Sequence, residues 1–220
     1  MKFAEAASRL RTLPSTLPAP PDVLMPIRLD TGERRRPAMS TGPDTARASA
    51  VLVLIAPDRS APDGSAADDA EAEVILIERT SYDGPHSGQI SFPGGKSEPG
   101  DRDLEATAIR EAAEEVGLDV EAAGVRVIGQ LEPFWIPVSG YRVTPFLAFA
   151  ARRPELIPSP DEVASIVRAP LDAFLPTAEI ELVEATVRDF SLRYGAYPVA
   201  GHRIWGATAR ILGQLGALLD

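Results

Sequence analysis

Between residues 90 and 118 the chain runs ISFPGGKSEPGDRDLEATAIREAAEEVGL, and this stretch restricts the fold more than any other. Ile90 to Phe92 are suited to the end of a short strand, whereas Gly94, Gly95, Pro99 and Gly100 turn the chain sharply. An alanine-rich helical interval follows, beginning near Asp103. Its apolar positions Ile109, Ala112, Ala113 and Val116 supply a face for packing against a sheet. The segment therefore reads as strand, glycine turn and packed helix.

That helix carries Arg110, Glu111, Glu114 and Glu115 in the sequence REAAEE. Residues four apart lie nearly above one another on a helix, so Glu111 and Glu115 can direct their carboxylates toward one point. Two like charges there repel, and a divalent cation would neutralise them. Glu114 can contact a second ion or orient water, and Arg110 can clamp a carboxylate through its forked donors. A carbonyl near Gly94 can complete an oxygen site, since glycine allows close backbone approach. An isolated EAAEE segment reads first as a solvated helix face; the adjoining glycine turn and arginine reverse that preference. The GGK triplet is not a phosphate-binding P-loop, because the full GxxxxGK[ST] arrangement is missing.

Residue inventory narrows the chemistry further. The chain has no cysteine, which excludes disulfides, thiolate catalysis and cysteine-bearing zinc sites. His86 and His202 are the only histidines, so three-histidine metal sites within one chain are excluded as well. Oxygen ligands remain, and they favour magnesium, manganese or calcium. A formal net charge of -10 disfavours long nucleic acid as a partner, while leaving room for a small anionic ligand. No apolar run approaches a membrane span, and the expectation is a cytoplasmic protein without a membrane anchor. Apolar stretches leave a homodimer open.

The remaining pattern is mixed α/β. Residues 1–47 read as an N-terminal extension, with a short helix from Phe3 to Leu10, a proline-rich run and an arginine cluster at Arg34, Arg35 and Arg36. That cluster reads either as a solvated turn or as a phosphate-facing patch. Residues 48–220 form the expected domain. Ala50 to Ile55 and Glu73 to Ile77 read as strands joined by an acidic, turn-rich hairpin excursion. Val125 to Gln130 and Arg142 to Phe149 also read as strands, and the interval from Ile180 to Phe190 contains another. Val163 to Val167 is expected as a short helix, and Ile204 to Leu219 as the terminal helix. The strands do not alternate regularly with long helices, which excludes a TIM barrel and a parallel dinucleotide-binding sheet.

At these residues the sequence resembles the Nudix hydrolase family, whose usual pattern is Gx5Ex7REUxEExGU. GKSEPGDRDLEATAIREAAEEVGL matches it from Gly95 to Leu118, with Arg110, Glu111, Glu114, Glu115 and Gly117 in place. Asp101 stands for the first glutamate, with eight rather than seven residues before Arg110. The preceding ILIERTSYDGPHSGQISFPGG is similar to the basic loop of the coenzyme A pyrophosphatase branch, pattern LLTxRSxxxRxxxGxxxFPGG. Arg79, Gly88, Phe92, Pro93, Gly94 and Gly95 agree, while Ile77, Thr80 and Gly84 replace a threonine, a serine and the second arginine. SGYRVTPFLAF, PDEVASI and RIWGATARIL extend the likeness over residues 48–218.

The resemblance implies a Nudix α/β/α sandwich with a mixed central β-sheet, and hydrolysis of a small nucleotide-containing diphosphate with Mg2+ or Mn2+. Glu111, Glu114, Glu115 and the Gly94 carbonyl would bind metal, and Arg110 would hold the carboxylate geometry. Coenzyme A or its acyl derivatives would yield 3',5'-ADP and 4'-phosphopantetheine or acyl-phosphopantetheine. Glu162 is the candidate general base, with helix capping as its other reading. Arg79 is the leading phosphate contact, with a strand-edge role beside it. His86 is a candidate substrate contact and proton carrier, or peripheral. Phe134, Trp135 and Tyr141 either bound the substrate pocket or pack beneath the sheet. Trp205 is expected to pack within the terminal helix. The alternatives are hydrolysis of ADP-ribose, NADH or another nucleoside diphosphate derivative, and a catalytically silent nucleotide-binding module.

Overall fold

The protein is described from a computed structural model covering residues 1–34, 42–61, 69–80, 88–137, 139–187 and 190–220. Its sheets grow from strands that are apolar on both sides. In β2 (Arg47–Pro57), Ala50, Leu52, Leu54 and Ala56 face one way, and Val53 and Ile55 the other. In β3 (Ala72–Arg79), Ile75 and Ile77 alternate in the same manner with Val74 and Leu76. A period of two with both faces apolar requires cover on both sides.

The larger sheet has eight strands among the described residues. Its main path is β4 (Ile90–Ser91), β3, β2, β8 (Tyr141–Ala150) and β6 (Val125–Gln130). β5 (Gly94–Lys96) pairs with β2, β7 (Phe134–Ile136) with β8, and β9 (Val163–Pro170) with β3. β2 and β8 run parallel over nine pairs from Arg47↔Tyr141 to Ile55↔Phe149, while the other pairings are antiparallel. The sheet is therefore mixed.

Helix α2 (Leu104–Val116) covers one face through Ala108, Ala112 and Val116. Small residues there let the helix axis approach the strands closely, so its carboxylate-bearing edge stays near the sheet. Asp103 caps the start, its side chain accepting from the Ala106 amide at 2.7 Å, and Gly117 ends the helix in a left-handed conformation, φ +64°. A second short helix, α3 (Val120–Ala123), leads into β6. The opposite face is covered by α1 (Phe3–Arg9) and α4 (Gly206–Leu218), with Ala6, Leu10, Ala209, Leu212 and Leu215 in the core. Helices thus lie on both faces, giving an α/β/α sandwich.

Two expectations need correction. Val163 to Val167 is strand β9, not a helix: its backbone pairs with β3 from Glu73↔Pro170 to Arg79↔Val163. A register shift between Glu78 and Arg79 turns Val163 toward the α2 side while Val167 faces the other cluster, which breaks the simple alternation that would have identified a strand. The terminal helix begins at Gly206 rather than Ile204, because β12 (His202–Ile204) pairs with β11 (Phe190–Val199) up to that residue. Trp205 precedes the helix as its N-cap residue and stacks on Tyr194, with ring centroids 4.7 Å apart.

Described residues of the N-terminal segment are built into this core. Leu24 is buried with Leu10, and β1 (Ile27–Arg28) pairs with β11. A second sheet results, ordered β1, β11, β10 (Glu181–Val187), with β12 joined to β11. Among the described residues, no helix is long and apolar enough to cross a membrane.

Candidate active site

The turn between β4 and α2 brings its backbone against the helix carboxylates. Gly94 has φ +151°, and a Cβ there would lie 2.4 Å from the Ala50 carbonyl oxygen, so the position requires glycine. The Gly94 amide donates to Glu115 Oε2 at 2.8 Å. At Gly95 the constraint is the site itself, since an added Cβ would meet Glu111 Oε2 at 2.4 Å. Both carboxylates are held at the same turn.

Glu115 is 1% exposed and Glu111 9%, unusual burial for charged groups four residues apart. Burial pushes the Glu115 carboxyl up to about 7, a rise opposed by the Gly94 hydrogen bond and the Arg79 charge and reinforced by Glu111 and Glu162. Burial raises Glu111 as well; Arg110 opposes the shift, while the Glu114 and Glu162 charges add to it. Arg79 Nη1 lies 3.5 Å from Glu115 Oε1, an ion pair without hydrogen-bond geometry, and that buried oxygen has no hydrogen-bond partner. A buried, unbonded carboxylate oxygen beside a second carboxylate is a donor set for a cation.

Arg110 organises the outer side of the pair. Its Nε donates to Asp101 Oδ1 at 2.9 Å and its Nη2 to Asp101 Oδ2 at 3.1 Å, a two-point clamp. Nη2 also donates to the Lys96 carbonyl, and Nη1 lies 2.9 Å from Glu111 Oε1 and 2.8 Å from Glu114 Oε2. Asp101 accepts in addition from the Glu98 amide and the Thr107 hydroxyl, and its carboxyl is held well below the usual range, first by Arg110. Asp101, despite its altered spacing, therefore anchors Arg110.

Glu162 approaches from β9. The turn before that strand is tied to the end of α2 by the Ile157 amide on the Val116 carbonyl and the Ser159 amide on the Glu115 carbonyl. It is tied to β3 by the Thr80 amide, which donates to the Glu162 carbonyl at 3.0 Å, and by the Thr80 hydroxyl on the Asp161 carbonyl. With no helix at Val163, Glu162 has no helix to cap. Its charge acts on both Glu111 and Glu115. Thr80 stands out in the sequence only as a departure from the basic-loop pattern and Ser159 not at all, because a backbone amide leaves no signal there.

The other candidates separate. Glu114 is exposed and bound to Arg110, on the outer side of the helix. Phe134 is buried in the cluster opposite α2, under the Arg210 guanidinium at 4.7 Å. Tyr141 packs against the same cluster, with the Arg47 guanidinium 4.1 Å above its ring. Neither reaches the carboxylates; Trp135 lies beside Phe134 on β7, half-buried. His86, Arg35 and Arg36 lie outside the described residues, and Arg34 pairs with Asp22 at 3.1 Å. Among the described residues no group of three His, Cys, Asp or Glu side chains is arranged to hold a metal ion. Glu111 and Glu115 are the acidic pair the fold gathers, and magnesium commonly takes one or two protein carboxylates, with water and substrate phosphate supplying the rest.

The chain is similar to known proteins over more than half of its length. The NUDIX domain model matches residues 63–190, more than half of the chain. The uncharacterized Nudix hydrolase NudL of Photorhabdus laumondii is 37% identical over 142 residues, covering 64% of this chain and 74% of that protein. Nudix hydrolase 15, mitochondrial, of Arabidopsis thaliana is 37% identical over 169 residues, covering 71% of this chain and 58% of the plant protein. This chain thus spans well under two thirds of that longer relative. A solved Nudix hydrolase from M. smegmatis, RenU, aligns with 22% identity and a TM-score of 0.45 over 68% of this chain and 80% of that one. With the motif, the buried carboxylates and the family match in agreement, the chain belongs to the Nudix hydrolase family.

Proposed function

We propose that this Nudix hydrolase is a coenzyme A diphosphatase, cleaving coenzyme A or its acyl derivatives into 3',5'-ADP and 4'-phosphopantetheine or its acyl form. The observation that carries the reading is the position of Arg79. It opens the basic-loop sequence similar to the coenzyme A branch, and its guanidinium stands 3.5 Å from Glu115 at the carboxylate pair. A guanidinium suited to phosphate and the helix carboxylates thereby share one site.

Glu111 and Glu115 would hold Mg2+ or Mn2+, with the Gly94 backbone beside them. When bound, such an ion neutralises the carboxylates, polarises phosphoryl oxygens and makes water more acidic. Arg110, fixed by Asp101, keeps Glu111 in place, and Glu114 restrains Arg110 from outside. Arg79 offers a planar donor fork to a diphosphate oxygen. Glu162 would take the proton from the attacking water as its oxygen bonds to phosphorus and the anhydride P–O bond breaks. His86 remains a proposed substrate contact.

A second reading, hydrolysis of ADP-ribose or NADH, is favoured by Gly84, which stands where the coenzyme A branch has its second arginine. Product analysis with coenzyme A and ADP-ribose side by side, in Mg2+ or Mn2+, with Glu115→Gln as control, separates the two. Release of 3',5'-ADP from coenzyme A, lost in the control, is the expected outcome. Preferential cleavage of ADP-ribose overturns the substrate. Absence of metal-dependent turnover with either substrate would favour a binding module.

A further inference from the structure

We propose that the cleft lined by Gly88, Gln89, Ile90, His202, Arg203 and Trp205 is a phosphomonoester subsite, in which His202 and Arg203 select substrates that carry a phosphate in addition to the diphosphate. The inference rests on the reading of the site as a diphosphate hydrolase.

The cleft is open to solvent and holds about 110 Å³. That volume is below the range of whole-ligand sites and suits one substituent of a larger substrate. Gln89 and Ile90 form one wall and strand β12 the other. The buried Thr208 hydroxyl donates to the Ile90 carbonyl at 2.9 Å, fixing the start of α4 against β4 and closing the base. Trp205 is held by its stack on Tyr194, so the aromatic side of the cleft is rigid.

Its outer strand carries two basic side chains, His202 and Arg203, in a chain whose formal net charge is -10. Arg203 bonds Glu181 through Nε alone, at 3.0 Å. Its side chain is 68% exposed, and its terminal amino groups remain able to receive phosphate oxygens. His202 adds ring nitrogens on the same strand. Helix α4 begins at this wall with no side-chain cap and no acidic residue in its first turn, so its positive end adds to the same field.

The cleft is joined to the carboxylate site through a single residue. The Arg79 amide donates to the Gln89 carbonyl at 3.1 Å, while the Arg79 side chain faces Glu115. Gln89 therefore belongs both to the strand pair that carries Arg79 and to the wall of the cleft. Gly84 removes a basic side chain from the loop, and β12 supplies two from another element.

The test compares coenzyme A with dephospho-coenzyme A, which lacks only the 3'-phosphate, in the native protein, Arg203→Gln, Arg203→Lys and His202→Gln/Arg203→Gln. Losing charge-assisted bonds to phosphate is expected to raise KM for coenzyme A roughly 10-fold or more at nearly constant kcat. KM for dephospho-coenzyme A should stay unchanged, and Arg203→Lys should recover part of the loss. Calorimetry with 3',5'-ADP and 5'-AMP gives a readout independent of turnover. If the protein does not cleave coenzyme A but binds 3',5'-ADP more tightly, and the double variant loses that preference, the subsite stands and the reaction assignment falls. Equal KM values for both substrates in the native protein, or unchanged selectivity in the double variant, would overturn the subsite.

Discussion

Glu115 holds the most informative charge in the molecule, because burial and like-charged neighbours oppose its ionisation while a single amide and Arg79 favour it. Its folded-state pKa lies above the unfolded value, so its contribution to stability is complete below about pH 4.5 and is lost as the pH rises through about 7. The metal-free protein should therefore lose thermal stability across that window, and Glu115→Gln should flatten the slope; an unchanged slope in a melting series would contradict the assignment. In the presence of Mg2+ or Mn2+, the same substitution is expected to reduce kcat by about 100-fold or more, in the range found for losing one transition-state contact. Gly95→Ala tests the neighbouring packing. Its Cβ would displace the Glu111 carboxylate, so a cost of about 1–3 kcal/mol in denaturant unfolding is expected, together with reduced activity. Full activity at native stability would show that the carboxylate is not confined as described.

At the scale of elements, α2 presents its carboxylates usefully only because three segments fix it. Its small apolar face lies on the sheet, the Asp101 loop clamps Arg110, and the turn before β9 binds its last carbonyls. Asp101→Ala should leave the sheet intact but free Arg110, lowering kcat more than it raises KM, with a modest fall in melting temperature. A pure KM effect would instead assign Asp101 to substrate binding. The segment REAAEEVGL announces this helix and the carboxylates on it, since both helical spacing and residue type are local. β9 was misread because its identity comes from pairing with β3 and a register shift, neither of which is written in VASIV. Asp101 illustrates a related limit: counting residues suggests a misfit, whereas the loop path restores a two-point clamp.

For the molecule as a whole, the N-terminal segment belongs to the same core as the catalytic sheet. Ala6, Leu10 and Leu24 are essentially inaccessible, and the buried Gln214 amide of α4 donates to the Pro18 carbonyl at 3.0 Å. Removing residues 1–26 should expose the α4 side of the sheet and produce an unstable or aggregating protein; an equally stable truncated chain, measured by thermal unfolding, would show that the segment is dispensable. Leu10→Ala, a milder lesion, should cost about 2–5 kcal/mol. The family, the mixed α/β class and the helix that carries the carboxylates followed from the sequence alone, because glycine turns, helical spacing and alternating apolar residues are properties of neighbouring positions. The tertiary structure alone decided that Phe134 and Tyr141 pack away from the carboxylates, that Asp101 secures Arg110, and that β12 flanks the strand carrying Arg79. Those relations join residues distant in the chain, and they exist only once burial of both sheet faces has fixed which side each residue occupies.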